Sequence, residues 1–390
     1  MSYLYGVLLD SGSRAHALKI LVIDYDGAEI GEALSIAYKS LRADTFPTLE
    51  YRPASEYPTT ESLSEAICEG GYWAAIWTHS GSSNRLMAAI KGKNTTEYDP
   101  ASTISYTYQA SYYPIISASL IEGNMQTLIA LASRTYYSVA TNARAAVNLT
   151  DPASSSVFLD PIQASSEIEM PTNQGARVLL NTVSMVMPAL MQFFFLMATN
   201  GIFTAAGVFS RLSKRDTYFT RLFISKIYTL FCALGMTGYI WAFREDWSVS
   251  GRQFSQTWMC LWLYMEIQYL VVDTMLDVVV PVKFFAFFML TWIIMNVAST
   301  IYPFPLSAGF YRWGYALPAH NTWILLMAVW SGGCKQQNEV ALPVLLAWWS
   351  LGHVSSAWSV RKRCTATEGI TVEKRVETES SQSIIALGNV

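Results

Sequence analysis

Two kinds of hydrophobic pattern follow one another along this chain, short apolar runs separated by amphipathic stretches and then long segments almost free of charge. In the first part, residues 18–24 (LKILVID), 46–52, 72–78 and 103–113 read as strands, and residues 29–41, 61–69, 86–91 and 116–147 as helices. Strand alternating with helix predicts an α/β sandwich over residues 1–176, a block long enough to bury its own core.

From residue 178 to residue 210 no charged side chain occurs, and the apolar stretch exceeds the ~20 residues that cross a ~30 Å hydrocarbon layer. The same reasoning predicts spans at 178–202, 222–243, 257–280, 284–301 and 340–360. Pro188 is tolerated inside the first, because neighbouring helices can satisfy the carbonyl it frees. Residues 313–334 differ, since their apolar centre at 322–330 is too short to cross; they are expected to be re-entrant or interfacial, with Trp and Tyr at headgroup level. The fold class expected is therefore a polytopic α-helical membrane protein with an N-terminal α/β extracytoplasmic domain. It comprises an α/β domain at 1–176, a membrane domain at 177–360 and a disordered cytoplasmic tail at 361–390, which is rich in Ser, Thr and Glu and lacks periodicity.

Composition agrees with this partition, for 52% of the 390 residues are hydrophobic and 14% charged, with a mean hydropathy of +0.25. Basic residues are retained on the cytoplasmic side. Five spans place Arg211, Lys214, Arg215, Arg221, Lys226, Lys283, Arg361, Lys362 and Arg363 on one face, nine against the five of Arg177, Arg244, Arg252, Arg312 and Lys335. The α/β domain is then lumenal or extracellular. Both sequons, at Asn94 and Asn148, fall in that domain as candidate glycosylation sites. A net charge of −3 with no basic run longer than Arg361 to Arg363 removes nucleic acid from the partners expected.

Catalytic and metal chemistry find little support. The five cysteines stand singly and far from histidine, so neither a disulfide framework nor a zinc site is expected, and no cofactor is implied. ILVIDYDG at residues 20–27 ends a strand in Asp-x-Asp-Gly, as aspartyl-phosphate enzymes do. Such an enzyme would also need a later lysine and paired acids to hold Mg²⁺, and no Asp-Asp or Gly-Asp-x-x-x-Asp follows in the domain, so Asp24, Asp26 and Gly27 read as a strand-end turn. THSGSS at residues 78–83 lacks the nucleophile-elbow pattern and reads as a polar turn with Ser83 or Asn84 capping a helix that starts near Arg85. The chain is not expected to be an enzyme. Cys364, directly after the basic triplet, is a candidate palmitoylation site.

The sharpest constellation is Glu266, Asp273 and Asp277, whose offsets of 7 and 11 place all three on one helix face within about 40°. Lys226 on the preceding span is a candidate ion-pair partner. A carboxylate at mid-bilayer costs at least ~2.5 kcal/mol and usually faces a bundle interior or a water-filled cavity. Such a stripe is expected either to line a proton or organic-cation path or to hydrogen-bond neighbouring helices.

HALKILVIDYDGAEIG, FPTLEYRP, GGYWAAIWTHSGSSNRLMAAI and YDPASTISYTYQASYY, followed by the C-terminal spans, resemble the fungal nitrosoguanidine-resistance membrane protein family up to about residue 360. That family is similar in layout to membrane subunits of ABC-2-type exporters. The resemblance implies an early span, of which MSYLYGVLLDSG keeps only the outer end. It also implies a plasma-membrane or endomembrane protein linked to drug resistance or lipid handling. Transport of a lipophilic or cationic small molecule is the function expected, with a membrane scaffold as the alternative, and the bilayer and a second copy of the chain as partners. No nucleotide-binding loop is present, so a motor would be a separate chain.

Overall fold

The computed structural model describes residues 2–93, 98–110, 112–148, 150–169, 174–276, 278–334 and 337–387; Asn94, Asp277 and Lys335 lie outside them. After the short helix α1 (Ser2–Leu8), strands β1 (Lys19–Asp24), β2 (Thr48–Arg52), β3 (Ala74–Thr78), β4 (Ile104–Gln109) and β5 (Ala164–Glu169) form one sheet in the order β2-β1-β3-β4-β5. β1 is parallel to both its neighbours, β4 antiparallel to β3, and β5 parallel to β4. The alternation of β1 explains the layering. Ile20 and Val22 join the core beneath α2 (Glu29–Leu41), Leu21 and Ile23 pack with Leu63 and Ile67 of α3 (Thr60–Cys68), and α4 (Ser82–Ile90) and α5 (Gly123–Val139) return to the first face.

Two sequence expectations change in this domain. The strand β5 went unread because ASSEIE is polar, yet it completes a ladder in which Ser105 Oγ and Ser165 Oγ are 2.6 Å apart. The helix expected across 116–147 ends at Val139 and resumes as a separate short helix, Thr141–Ala146.

Six further helices make a bundle: α6 (Val183–Ala205), α7 (Lys214–Ala242), α8 (Gly251–Met275), α9 (Phe285–Ile301), α10 (Pro318–Trp330) and α11 (Asn338–Leu387). α7 begins eight residues before the expected position because Ser213 caps it, its Oγ accepting from Asp216 N at 3.1 Å, and this draws Arg221 into the helix. α8 starts early for a similar reason, a capping box between Ser250 and Gln253. α10 is only 13 residues long; it begins where Asn296 Oδ1 accepts from Ala319 N at 3.2 Å, and it ends where Trp330 Nε1 donates to Thr257 Oγ1 at 2.9 Å.

Among the described residues five helical stretches are long and apolar enough to cross a membrane: Pro114–Val139, Val183–Ala205, Lys214–Ala242, Val282–Ile301 and Asn338–Gly369. The first packs on α2 and belongs to the sheet domain. α8 falls outside that set, its mean hydropathy lowered by Glu266, Gln268, Asp273 and its Tyr and Trp side chains, although it packs against α6, α7, α10 and α11 at the centre of the bundle. Large apolar side chains point outward from the bundle, Phe223 67% exposed, Phe287 70% and Val354 71%, which is consistent with an integral membrane protein.

Past residue 360, where a disordered tail was expected, α11 runs on to Leu387. Val360 and Cys364 pack against Phe203 and Phe209, and Lys214 Nζ pairs with Glu368 at 3.0 Å, so the extension has a partner.

The domain and the bundle share one apolar core, which runs from Ile20 and Tyr113 through Met185 and Tyr264 to Trp323. A disulfide seals the junction: Cys68 at the end of α3 bonds Cys334 after α10, with Cα atoms 4.8 Å apart and 266 residues between them in sequence. The isolated spacing of the cysteines had argued against any pairing, and tertiary proximity overrides it. We expect Cys334→Ser to destabilise the chain by roughly 2–4 kcal/mol, read as a lower thermal-unfolding midpoint of the purified protein. An unchanged midpoint would show that the bond adds nothing to the packed junction.

Candidate functional site

Glu266 and Asp273 stand two turns apart on α8, on the face that meets α7 and α11. Asp273 is fully buried. Its Oδ1 accepts from Arg221 Nη2 at 2.6 Å and from Arg363 Nη1 at 2.8 Å, and its Oδ2 from Ser356 Oγ at 2.6 Å. Arg363 Nη2 donates to the carbonyls of Asp273 and Leu276, and Ser359 Oγ to the Asp273 carbonyl at 3.1 Å. Ser356, Ser359 and Arg363 occupy positions i, i+3 and i+7 of α11, so one stripe of that helix supplies all three. The Arg221 guanidinium carbon also lies 5.5 Å and 5.8 Å from the ring centroids of Phe203 and Phe209.

The second tier lies deeper. Glu266 is nine residues before the end of α8, about 14 Å at 1.5 Å per residue. Its Oε2 pairs with Lys226 Nζ, and its Oε1 accepts from Thr229 Oγ1 at 2.5 Å, which in turn accepts from Trp262 Nε1 at 3.2 Å. Lys226 Nζ also sits 5.2 Å from the Trp349 ring centroid; Trp349 meets His353 edge-on at 4.4 Å, and Tyr218 Oη lies 3.3 Å from His353 Nδ1. Lys226, 30% exposed, is the most open of the paired charges in this column.

Of the residues singled out in the sequence, Glu266, Asp273 and Lys226 meet in this column. Asp277 and Asn94 are outside the described residues. Asn148 is half-buried, its Oδ1 accepting from Thr150 Oγ1 at 2.6 Å. Cys364 is 1% exposed and packs among Phe203, Phe209 and Val360. Arg221 and Arg363 were missed as site residues, because basic side chains near span ends were read only as markers of orientation. Two buried glutamines were missed too: Gln268, whose Oε1 accepts from Trp292 Nε1 at 2.7 Å, and Gln192, whose amide atoms have no partner among the described residues.

In the sheet domain the candidate catalytic letters serve local structure. Asp24 Oδ1 accepts from Asp26 N at 3.1 Å, Gly27 N at 3.0 Å and Thr78 Oγ1 at 2.5 Å, and Gly27 takes φ +62° to close the turn. α4 begins at Ser82 behind Gly81 at φ +72°, so neither Ser83 nor Asn84 is the cap; Ser83 Oγ instead donates to Asp26 Oδ2. His79 Nε2 is 2.7 Å from Ser105 Oγ, and burial, followed by the charge of Arg85, lowers its pKa.

The model of a family described as a protein of unknown function, DUF3533, matches residues 1–354, which includes the sheet domain and the helices that carry Arg221, Lys226, Glu266 and Asp273. The chain belongs to the DUF3533 family. Ser356, Ser359 and Arg363 lie beyond the DUF3533 match. No solved structure matches the chain.

Chemically, the column can hold and exchange protons or cations only if its pairs part, since both carboxylates are engaged by fixed cations here. Removing one partner of a buried pair strands the other. Asp273→Ala, which orphans two guanidinium groups, is expected to cost about 3–5 kcal/mol, whereas replacing Arg221, Asp273 and Arg363 together by Met, Leu and Met should recover most of it. Thermal unfolding in detergent measures both, and an Asp273→Ala chain as stable as the parent contradicts the described pairing.

Proposed function

We propose that this DUF3533 chain is a permease-like membrane protein that moves lipophilic or cationic compounds. The observation that carries this reading is the charged column between α7, α8 and α11, with Glu266 and Lys226 deep in it and Asp273, Arg221 and Arg363 near its end. Ionisable groups at such depth are costly and mark ion or substrate pathways. The amide atoms of Gln192, without a partner among the described residues, point the same way, since buried polar groups lacking partners are expected where water enters or packing changes.

In this reading the sheet domain is lumenal or extracellular, the C-terminal end cytoplasmic, and the membrane a plasma membrane or endomembrane. Disulfides persist in oxidising compartments, so the Cys68–Cys334 bond supports placing the domain and the loop after α10 on that outer side, as the bias of basic residues does. α10 then enters the membrane without crossing it, because its 13 residues reach only about 20 Å. The resemblance to nitrosoguanidine-resistance proteins agrees with a role in drug efflux or lipid handling.

A membrane scaffold is the second reading, favoured by the closed state of every carboxylate pair described in the column. Purified chain in proteoliposomes separates the two. The permease reading expects uptake of a lipophilic cation that Glu266→Gln lowers by at least about tenfold at normal incorporation, a loss in line with removing one positioned acid–base group. Uptake by the variant equal to the parent, or no uptake by either, supports the scaffold. A mobility shift on glycosidase treatment that is lost in Asn148→Gln checks the outer placement of the domain.

A further inference from the structure

Where the sheet domain meets the bundle, a partly open cavity of about 220 Å³ is lined in part by aromatic side chains from both. The domain contributes Trp73, Tyr112 and Tyr113, with Trp73 and Tyr113 each packed against Tyr112 at centroid distances of 5.2 Å and 4.8 Å. Across from them Phe304, Tyr315 and His320 of the bundle form a second cluster, with centroids 4.3 Å to 5.2 Å apart. Among the described residues no lysine or arginine lines the cavity, and the one carboxylate that does, Glu69, stands at the exposed rim directly after Cys68.

The aromatic and titratable groups of the lining favour a positive guest. The rings present negative π faces, and burial raises the pKa of the Tyr112 and Tyr113 phenols, which keeps both neutral. His320 Nδ1 is 3.1 Å from the Ser299 carbonyl; a carbonyl only accepts, so Nδ1 carries the proton and Nε2 of the neutral ring is an acceptor. Size narrows the class further. Pockets that enclose a drug-sized ligand run to roughly 300–1,000 Å³, so this cavity takes a headgroup-sized moiety.

We propose that this junction cavity is a binding site for a trimethylammonium or similar onium group, caged by Trp73, Tyr112, Tyr113, Phe304 and Tyr315 and neutralised at the rim by Glu69. The guest is either the choline headgroup of a bilayer lipid or a free quaternary ammonium compound. Exposed Phe310 and Trp313, in the segment that also carries Tyr315, fit a mouth at headgroup level. The site stands apart from the charged column, and its occupancy is measurable whether or not the chain transports anything.

The test uses the full chain in nanodiscs made without choline lipids, with tetramethylammonium as the probe and binding read by calorimetry and by saturation-transfer NMR of the N-methyl signal. Saturable binding at least about tenfold tighter than that of the uncharged isostere 3,3-dimethylbutanol is expected, as a cation–π site demands. Tyr112→Leu should weaken it about tenfold while Tyr112→Phe stays within about threefold, with formation of the Cys68–Cys334 bond on a non-reducing gel as the check of folding. Should Tyr112→Leu misfold, the exposed Glu69→Gln replaces it and is expected to weaken tetramethylammonium but leave the isostere unchanged. Equal affinity for cation and isostere, or full affinity in both Tyr112→Leu and Glu69→Gln, overturns the proposal. Competition by phosphatidylcholine added to the nanodiscs assigns the site to lipid headgroups, and its absence, with tetramethylammonium still bound, to free quaternary ammonium compounds.

Discussion

The carboxylate of Asp273, shared between Arg221 of α7 and Arg363 of α11, is the interaction on which the bundle's arrangement turns. A charge with no solvent around it must be paired and hydrogen-bonded, and Asp273 meets this demand only when three helices hold one relative height and rotation. With that register set, Glu266 two turns away is opposite Lys226 and Thr229, and Trp349 and His353 of α11 close the same side. Thr274 Oγ1 and Ser355 Oγ, 2.9 Å apart, continue the α8 to α11 seam beside it. The polar residues of the bundle thus follow from one anchor rather than from several independent contacts.

Around this anchor the domain and bundle behave as one packed body. Tyr113 of the domain and Trp323 of α10 meet with centroids 6.3 Å apart, and Trp247 and Trp330 with centroids 5.3 Å apart, so aromatic packing continues from the sheet domain into the bundle. The disulfide at Cys68 and Cys334 fastens the same junction covalently. α1 belongs to this arrangement too, since it packs on α9 and sets Tyr3 against Tyr311 and Trp313. Motion of the domain relative to the bundle would therefore have to break a continuous core, which makes the seams between helices the softer places to open.

Much of this was legible where a single physical period governs. Four strands follow from short apolar runs set between amphipathic helices, and the shared face of Glu266 and Asp273 follows from helical offset alone. What escaped depends on distance in space rather than on local pattern. Cys68 and Cys334 are 266 residues apart, and nothing local marks them as partners. Arg221 and Arg363 look like interface residues by position, and only the early start of α7 at its Ser213 cap and the continuation of α11 past residue 360 turn them inward. β5 was hidden by its polarity, because an edge strand beside β4 needs no apolar face of its own.

The composition of the column bears on why it is charged at all. Arg221, Arg363 and Lys226 carry three positive charges against the two negative charges of Asp273 and Glu266, so the described groups leave an excess of one cation. Helices that needed only to be tied together would lose little by replacing such groups with apolar side chains of similar volume, since desolvation consumes most of the Coulomb gain of a buried pair. Retaining five charges where two hydrophobic seams would suffice makes sense when the pairs have alternative partners in a second arrangement, with nearly balanced energies.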